Sequence, residues 1–165
     1  MKAAVTNRQD NSSGSMSEFL CWLFPITYLL HISEEWWGDY PAHLRHTQDI
    51  QLSHARFAVL QGIGLLLMIL GIVLSRRLRF PNQMLAILST LIIGNAILHV
   101  LRSALFGVYE PGLVTSILFW LPLGSLTLAH QRGSMSGPRF LLSAAIGISI
   151  CGAVEILTVM NGAIG

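Results

Sequence analysis

The sequence predicts an all-α protein, a polytopic bundle of about five transmembrane helices. Hydrophobic residues make up 53% of the 165 residues and charged residues only 11%, against roughly 25% in ordinary soluble domains. The chain also contains repeated apolar runs of about 20 residues, which is the length of a membrane-spanning helix. So few charges could not solvate the surface of a soluble fold. The net charge is only +2, with arginines scattered between apolar segments, and no nucleic-acid partner is expected.

Five segments are predicted to be the spanning helices. The first, residues 19–37, has only about 12 uninterrupted apolar residues before a polar end. We interpret it as a spanning helix whose polar end is buried against its neighbours. The other four have both the length and the apolarity of transmembrane helices: 57–75, 84–105, 112–129 and 140–160. Residues 1–17 are rich in Ser, Asn and Gly and are predicted to be disordered, which leaves residues 18–165 as one membrane domain.

The placement of the arginines predicts the orientation of the helices. With five spans, the arginine-rich stretches 76–79 and 132–139 lie on the same side as the N-terminus, whereas the opposite side carries Arg45 and Arg56. Loops on the cytoplasmic side of a membrane carry an excess of Lys and Arg. The N-terminus is therefore predicted to be cytoplasmic and the C-terminus to lie outside.

A run of ionisable side chains at the polar end of the first helix is the best candidate for a functional site. Glu34 and Glu35 follow His31 by three and four residues, so all three lie on one face of a helix. His99 and Glu155, in the third and fifth spans, lie at a similar depth, about 22 Å from the cytoplasmic ends of their helices. Because ionisable groups inside a membrane are expensive and mark functional sites, we predict one polar pocket in the outer third of the bilayer. The inner halves of the helices are nearly all apolar.

Three motifs of this chain resemble those that define the HXXEE-domain family of small bacterial integral membrane proteins. They are the HxxEE run at 31–35, the downstream membrane histidine His99, and the tetrapeptide Tyr-Glu-Pro-Gly at 109–112. The resemblance implies a multi-pass protein of the bacterial inner membrane. It implies no reaction, because the family is biochemically uncharacterised, so the chemistry has to be inferred from the residues.

The nitrogen and oxygen donors of the predicted pocket favour one divalent metal ion. Two histidines with carboxylates suit zinc, or non-haem iron or manganese. In the H-x-x-E-H pattern of metalloproteases, two histidines bind zinc and the glutamate acts as base. By that analogy the predicted ligands are His31, Glu35 and His99, with Glu34 as the base that takes a proton from water. Their side chains are then expected to meet, with the two histidines within about 8 Å of each other.

Five further residues are candidates for the same pocket. Arg102 and Asn95 bracket the second histidine on one face of its helix, and either could stabilise developing negative charge. Their alternative roles are an arginine that snorkels to the membrane interface and an amide that joins helices. Glu155, Tyr109 and Glu110 are further candidate members of the pocket. The Pro and Gly that follow Glu110 predict a tight turn, so a structural use of that tetrapeptide is favoured.

Several classes of function stay open from the sequence. The favoured one is a metal-dependent membrane enzyme, in particular a hydrolase, that acts on a lipid or amphipathic substrate near the outer leaflet. The second is metal-free chemistry by the paired carboxylates and histidine, as in an isomerase or cyclase that protonates an apolar substrate. The third is a proton or ion carrier, since buried carboxylates and histidines also form relays. A structural interpretation also stays open, in which Glu34 and Glu35 form the solvated end of a helix beside an interfacial tryptophan pair.

Overall fold

The computed structural model describes the backbone of residues 2–163 and the side chains of residues 19–162. This part of the chain forms helices and contains no strand, which confirms the predicted all-α class. The helices are α1 (Lys2–Trp37), α2 (Tyr40–Gln48), α3 (His54–Arg77), α4 (Pro81–Phe106), α5 (Leu113–Ser134) and α6 (Gly137–Ala163). The predicted disordered tail, residues 1–17, lies outside the residues described with their side chains and stays a prediction.

Four helices in the described part of the chain are long and apolar enough to cross a membrane: α3, α4, α5 and α6. They match the four predicted apolar segments to within five residues at each end. Helix α1, which carries the HxxEE run, is not among the four, but it continues without a break to Trp37. The predicted bundle of about five spans is therefore confirmed as a multi-pass helical fold, with four helices that qualify by length and composition.

Sequence signals at the helix ends account for the observed bounds. Helix α3 begins after Ser53, whose hydroxyl accepts a hydrogen bond from the backbone N–H of Arg56 at 3.2 Å, as an N-cap residue does. Helix α4 begins at Pro81, in a first turn where the missing N–H has no intrahelical partner to lose. It ends at Phe106 and is followed by Gly107, with φ +67°, the left-handed conformation that favours glycine at a helix C-terminus. These signals set the lengths of the two helices that carry or face the site.

Helix α5 contains one irregular turn, a π-helical segment at Ser116–Trp120. Pro122 lies two residues after its end, and a proline has no N–H to bond to the carbonyl of Leu118, four residues before it. The helix widens where that bond is missing, and π-turns of this kind are frequent at functional sites. As a result the ring of Trp120 is buried and contacts the site described below.

Helix α4 lies at the centre of the bundle and contacts α1, α3, α5 and α6. Small residues allow the close approach of the helices: a Cβ added at Gly94 would lie 3.2 Å from Cys151 Sγ of α6, and one at Gly124 would lie 2.6 Å from Ile93 Cγ1 of α4. Many large apolar side chains on the outer faces are exposed, as lipid-facing surfaces require. His99 therefore lies on the central helix of the bundle, α4.

The buried face of α5 includes polar side chains. Thr127 and Gln131 lie in the half of α5 that is distant from the predicted site, and both are buried. Thr127 lies inside the predicted span 112–129 and Gln131 lies just beyond it, so the inner half of that span is apolar apart from Thr127 and the exposed Ser125. Among the described residues, the Thr127 hydroxyl and the Gln131 amide oxygen have no hydrogen-bond partner.

Candidate metal centre

His31, Glu35 and His99 lie together, as the sequence predicts. Each offers a ligand atom, and these atoms all lie within 4.8 Å of one another. The side chains are buried, with exposed fractions of 1%, 3% and 1%, and the ring centroids of the two histidines are 4.9 Å apart. The predicted convergence is confirmed. The alternative of a solvated helix end is wrong for Glu35, which is not in contact with solvent.

Helices α1 and α4 position this group near one face of the bundle. His31 and Glu35 are separated by one turn of α1, and His31 lies six residues, or about 9 Å, before the helix ends at Trp37. His99 lies seven residues, or about 10 Å, before the end of α4 at Phe106. Trp37 is 85% exposed, as an interfacial tryptophan would be. The group therefore lies within two helical turns of the ends of α1 and α4.

The distances within the group fit a shared cation better than direct hydrogen bonds. Glu35 Oε1 is 3.5 Å from His31 Nε2 and 3.6 Å from His99 Nε2, whereas hydrogen bonds of this type measure about 2.7–3.2 Å. Among the described residues, His31 Nε2 is buried without a hydrogen-bond partner. Ligand atoms at about 2.0–2.1 Å from one tetrahedral ion lie about 3.3 Å from one another. The two distances from Glu35 are close to that value, and the ligand atoms of all three residues lie within 4.8 Å of one another.

Residues of helix α5 contact the Nδ1 side and the face of the His31 ring. His31 Nδ1 lies 2.8 Å from Thr115 Oγ1, and the Thr115 hydroxyl donates to the carbonyl of Gly112 at 3.2 Å. Because that proton is already used, Thr115 accepts a hydrogen bond from Nδ1–H, and the lone pair of His31 then lies on Nε2, which faces Glu35. The ring of Trp120 stacks on His31 with 3.7 Å between centroids. Both the tautomer and the orientation of His31 are thereby set.

A buried carboxylate lies behind His99. Glu110 Oε1 is 3.4 Å from His99 Nδ1 and 3.5 Å from an Arg102 nitrogen. Burial raises the pKa of Glu110 to about 7, although the Arg102 charge opposes this. Arg102 also donates to the Tyr40 hydroxyl at 3.1 Å and to Glu155. Among the described residues His99 Nδ1 has no hydrogen-bond partner, so Glu110 lies near His99 but does not hold it by a hydrogen bond. Arg102 donates to Glu110 and so positions that carboxylate.

Helix α3 holds the second oxygen of Glu35. Gln61 Nε2 donates to Glu35 Oε2 at 2.7 Å, and Gln61 Oε1 accepts from the Tyr28 hydroxyl at 2.6 Å. These contacts leave Glu35 Oε1 directed between the two histidines. Neither Gln61 nor Tyr28 was predicted to belong to the site. A lone amide in the apolar sequence of α3 was the available signal, because polar groups at membrane depth need partners.

Glu34 binds the start of α5. One of its oxygens accepts hydrogen bonds from the Tyr109 hydroxyl at 2.5 Å and from the Val114 N–H at 2.9 Å, and the other accepts from the Thr115 N–H at 2.7 Å. A carboxylate at a helix N-terminus satisfies the free N–H groups and complements the helix dipole. Burial and the bond to Glu34 raise the pKa of Tyr109 to about 12, so its hydroxyl stays a donor. Both oxygens of Glu34 are occupied, and its predicted role as a base stays a prediction that this geometry does not favour.

The Tyr-Glu-Pro-Gly tetrapeptide brings the main chain directly against both histidines. Gly112 has φ +97°, and a Cβ added there would lie 2.7 Å from His99 Cε1 and 2.8 Å from His31 Cε1. One residue earlier, Pro111 packs on the end of α1, where a Cβ added at Gly38 would lie 2.6 Å from Pro111 Cβ. The tetrapeptide forms the predicted turn. In addition it closes one side of the site, because only a glycine fits between the two rings.

A cavity of about 490 Å³ is lined at one end by His31 and Glu35 and runs between α1, α3, α4 and α6. Ligand sites in proteins commonly enclose about 300–1,000 Å³. Asn95 and Glu155, both predicted members of the pocket, line the same end, whereas Arg102 contacts Glu155 from outside the lining. The structure thus joins the polar group to a binding space of ordinary size.

A model of one known protein family matches the sequence that forms this site. The family model described as "Protein of unknown function with HXXEE motif" matches residues 22–127, which is more than half of the chain. The chain belongs to the HXXEE family. The matched region includes His31, Glu35, His99 and the tetrapeptide, and it ends before α6, which contributes Glu155. No curated protein and no solved structure matches the chain.

Proposed function

We propose that this protein is a metal-dependent membrane enzyme, hydrolase-like, that acts on a lipid or amphipathic substrate. His31, Glu35 and His99 would hold one divalent cation. The observation that supports this is the buried, unpartnered Nε2 of His31, which faces a carboxylate oxygen and a second imidazole at distances suited to a shared ion. The donor set suits zinc, or non-haem iron or manganese. Three protein ligands leave a further coordination position free, as in catalytic sites.

The surrounding residues support this assignment. A divalent cation bound here would supply a Lewis acid for a carbonyl group or for water. Thr115 orients His31 by a hydrogen bond, Glu110 lies 3.4 Å from His99, and Gln61 holds Glu35. The cavity lining is mostly apolar, and electrostatic interactions are stronger in surroundings of low dielectric constant. Asn95 lines the cavity and is the candidate for stabilising negative charge on a substrate.

Elemental analysis of the purified protein tests the metal site. Protein prepared in detergent without chelator is expected to carry about one zinc, iron or manganese ion per chain. His31→Ala and His99→Ala are each expected to lower this to less than about one tenth, because loss of one of three protein ligands abolishes tight binding. His46→Ala, at an exposed histidine of α2, is the matched control and is expected to retain the metal. A metal-free wild type after incubation with each ion, or equal retention in all three variants, would contradict the proposal.

A second candidate function is metal-free acid–base chemistry, as in an isomerase or cyclase. The mostly apolar cavity that reaches Glu35 and His31 favours it, because such a space fits a substrate with few polar groups. In this case Glu35 and the two histidines would transfer protons. A proton shared by Glu34 and Glu35 is not favoured, since Glu34 binds α5 and Glu35 binds α3. Full activity of chelator-treated protein would favour this candidate over the first.

We further propose that the bundle lies in the bacterial inner membrane with its N-terminus in the cytoplasm. The arginines at the C-terminal ends of α3 and α5 support this orientation. Cysteine labelling in intact cells tests it: Leu78→Cys, in the exposed loop after α3, is expected to resist a membrane-impermeant maleimide, and Gln51→Cys, before α3, is expected to react. Native Cys21 and Cys151 are buried and give a low background. Reaction at position 78 but not at position 51 would reverse the orientation.

A further inference from the structure

We infer that the cavity holds the hydrocarbon tail of a single-chain amphiphile, with an oxygen-bearing head group at His31 and Glu35. The inference rests on the proposed function in that it names the substrate class of the same site. It is a statement about binding, however, and it can be tested without any assay of activity.

The polarity of the cavity lining changes from one end to the other. Along α3 the lining residues run from Gln61 to Gly71, and along α4 they run from Asn95 to Met84. Gln61 and Asn95 lie at the end that contains the His/Glu group, and the lining residues of these two helices beyond them are apolar or glycine. A ligand that fills this space must therefore be polar at one end and apolar over the rest of its length.

The length of the cavity matches one lipid tail. Gln61 and Gly71 are ten residues apart on α3, which is about 15 Å along the helix axis, and Asn95 and Met84 are eleven residues apart on α4, about 16 Å. A bilayer core is about 30 Å thick, so a tail that crosses one leaflet also spans about 15 Å. The volume of about 490 Å³ lies in the range for one drug-sized ligand. A single chain therefore fits this space better than a two-tailed lipid.

The polar end defines the chemistry of the head group. Among the described residues, His31 Nε2 has no hydrogen-bond partner, and Glu35 Oε1 lies 3.5 Å from His31 Nε2 and 3.6 Å from His99 Nε2. A hydroxyl head group could donate to either atom without a metal. An ester or carboxylate head group has oxygen acceptors only and would need the cation as its partner. The two kinds of head group are thus distinguished by whether binding depends on metal.

The apolar end contains a contact that a substitution can alter. A Cβ added at Gly71 would lie 3.1 Å from the terminal methyl of Met84, and both residues line the cavity. A larger side chain at Gly71 would occupy the space of the tail end. Gly62 is on the same helix, where an added Cβ meets nothing within 4 Å. The pair provides a test position and a matched control.

Native mass spectrometry of the full-length protein in detergent tests the inference. The probes are n-alkanols and n-alkanoic acids of roughly 8 to 20 carbons, a range that brackets one leaflet, each series offered as an equimolar mixture with added zinc and with chelator. Retention by the wild type is expected to peak at roughly 12 to 16 carbons. Gly71→Leu is expected to move the peak roughly three carbons shorter, the space of the added side chain, and Gly62→Leu is expected to leave it unchanged. Gly71→Ala, with a smaller shift in the same direction, serves if Gly71→Leu does not fold.

The outcomes separate this inference from the proposed function. A chain-length peak that shifts in the Gly71 variants supports the inference even if the protein binds no metal, in which case only the metal-dependent function is lost. No preference for chain length, an equal shift in Gly62→Leu, or equal retention of a two-tailed phosphatidylcholine would overturn it, whatever the metal content. If the acids are retained with added zinc but not with chelator, then the head group binds through the metal. If the alkanols are retained in chelator, then the head group is a hydroxyl that binds without metal.

Discussion

Gly112→Ala is expected to lower the free energy of unfolding by about 2–6 kcal/mol and to weaken metal binding. Two costs combine at this position. Gly112 has φ +97°, a conformation that costs a residue with a Cβ about 1–3 kcal/mol. The new methyl group would also lie 2.7–2.8 Å from the Cε1 atoms of both site histidines, and overpacking of this kind costs about 1–3 kcal/mol. Since the rings must move apart to relieve the contact, metal affinity is expected to fall about 10- to 100-fold, as it does when the support of a ligand is disturbed.

The variant Gly107→Ala separates the cost of the positive φ from the cost of the close contact with the histidine rings. Gly107 also has a positive φ, +67°, but a Cβ added there meets nothing within 4 Å. Gly107→Ala is therefore expected to cost only about 1–2 kcal/mol and to leave the metal content unchanged. Denaturant unfolding in detergent and elemental analysis of both variants give the comparison. If Gly112→Ala is no less stable than Gly107→Ala and keeps its metal, then the histidine rings are not packed against this backbone as described.

The helical repeat explains how far the site could be predicted from the sequence. A spacing of four residues places His31 and Glu35 one above the other on α1 whatever the rest of the fold does. His99 required a second argument, the common depth of ionisable groups in separate spans, and that argument depends only on the rise per residue. Both quantities are properties of a single helix. For this reason the three proposed ligands could be identified without knowledge of the packing.

Which of Glu34 and Glu35 faces the histidines could not be predicted from the helical repeat. Adjacent residues on a helix point about 100° apart, so only one of the two can face the histidines, and the choice depends on the rotation of α1. In the structure Glu35 is held by Gln61 of α3, and Glu34 is held by the first turn of α5. Those partners lie 26 and 81 residues away in the sequence. No local pattern encodes contacts over such separations.

The contacts of Trp120 and Arg102 also could not be predicted from the sequence, because their causes act only in the folded chain. Trp120 reaches His31 because α5 widens before Pro122, and a proline in an apolar run does not by itself show which kind of irregularity it will produce. Arg102 was predicted to snorkel or to meet a substrate. In the structure it donates to Glu110, which is buried, and to Glu155, which is partly exposed, and its role towards a substrate stays a prediction.

Glu35→Gln and Glu34→Gln are expected to differ sharply in their metal content. Glu35→Gln removes the only anionic ligand of the proposed site, so metal affinity is expected to fall by more than about 100-fold. The fold is expected to tolerate this change, because the glutamine oxygen can still accept the hydrogen bond from Gln61. Glu34→Gln removes no ligand. It replaces a carboxylate that accepts three hydrogen bonds with an amide that has one acceptor oxygen, so it is expected to cost about 1.5–3 kcal/mol of stability and to keep the metal.

Elemental analysis and denaturant unfolding of these two variants, with wild type as the reference, decide between the roles. The matched pair is informative because the two changes are chemically identical and lie on adjacent residues of one helix. Equal loss of metal from both variants would remove the division between a ligand and a positioning residue, and the start of α5 would then have to be counted as part of the binding site. Metal loss from Glu34→Gln alone would exchange the two roles. The proposed arrangement requires the loss in Glu35→Gln alone, because only Glu35 Oε1 lies between the two imidazoles.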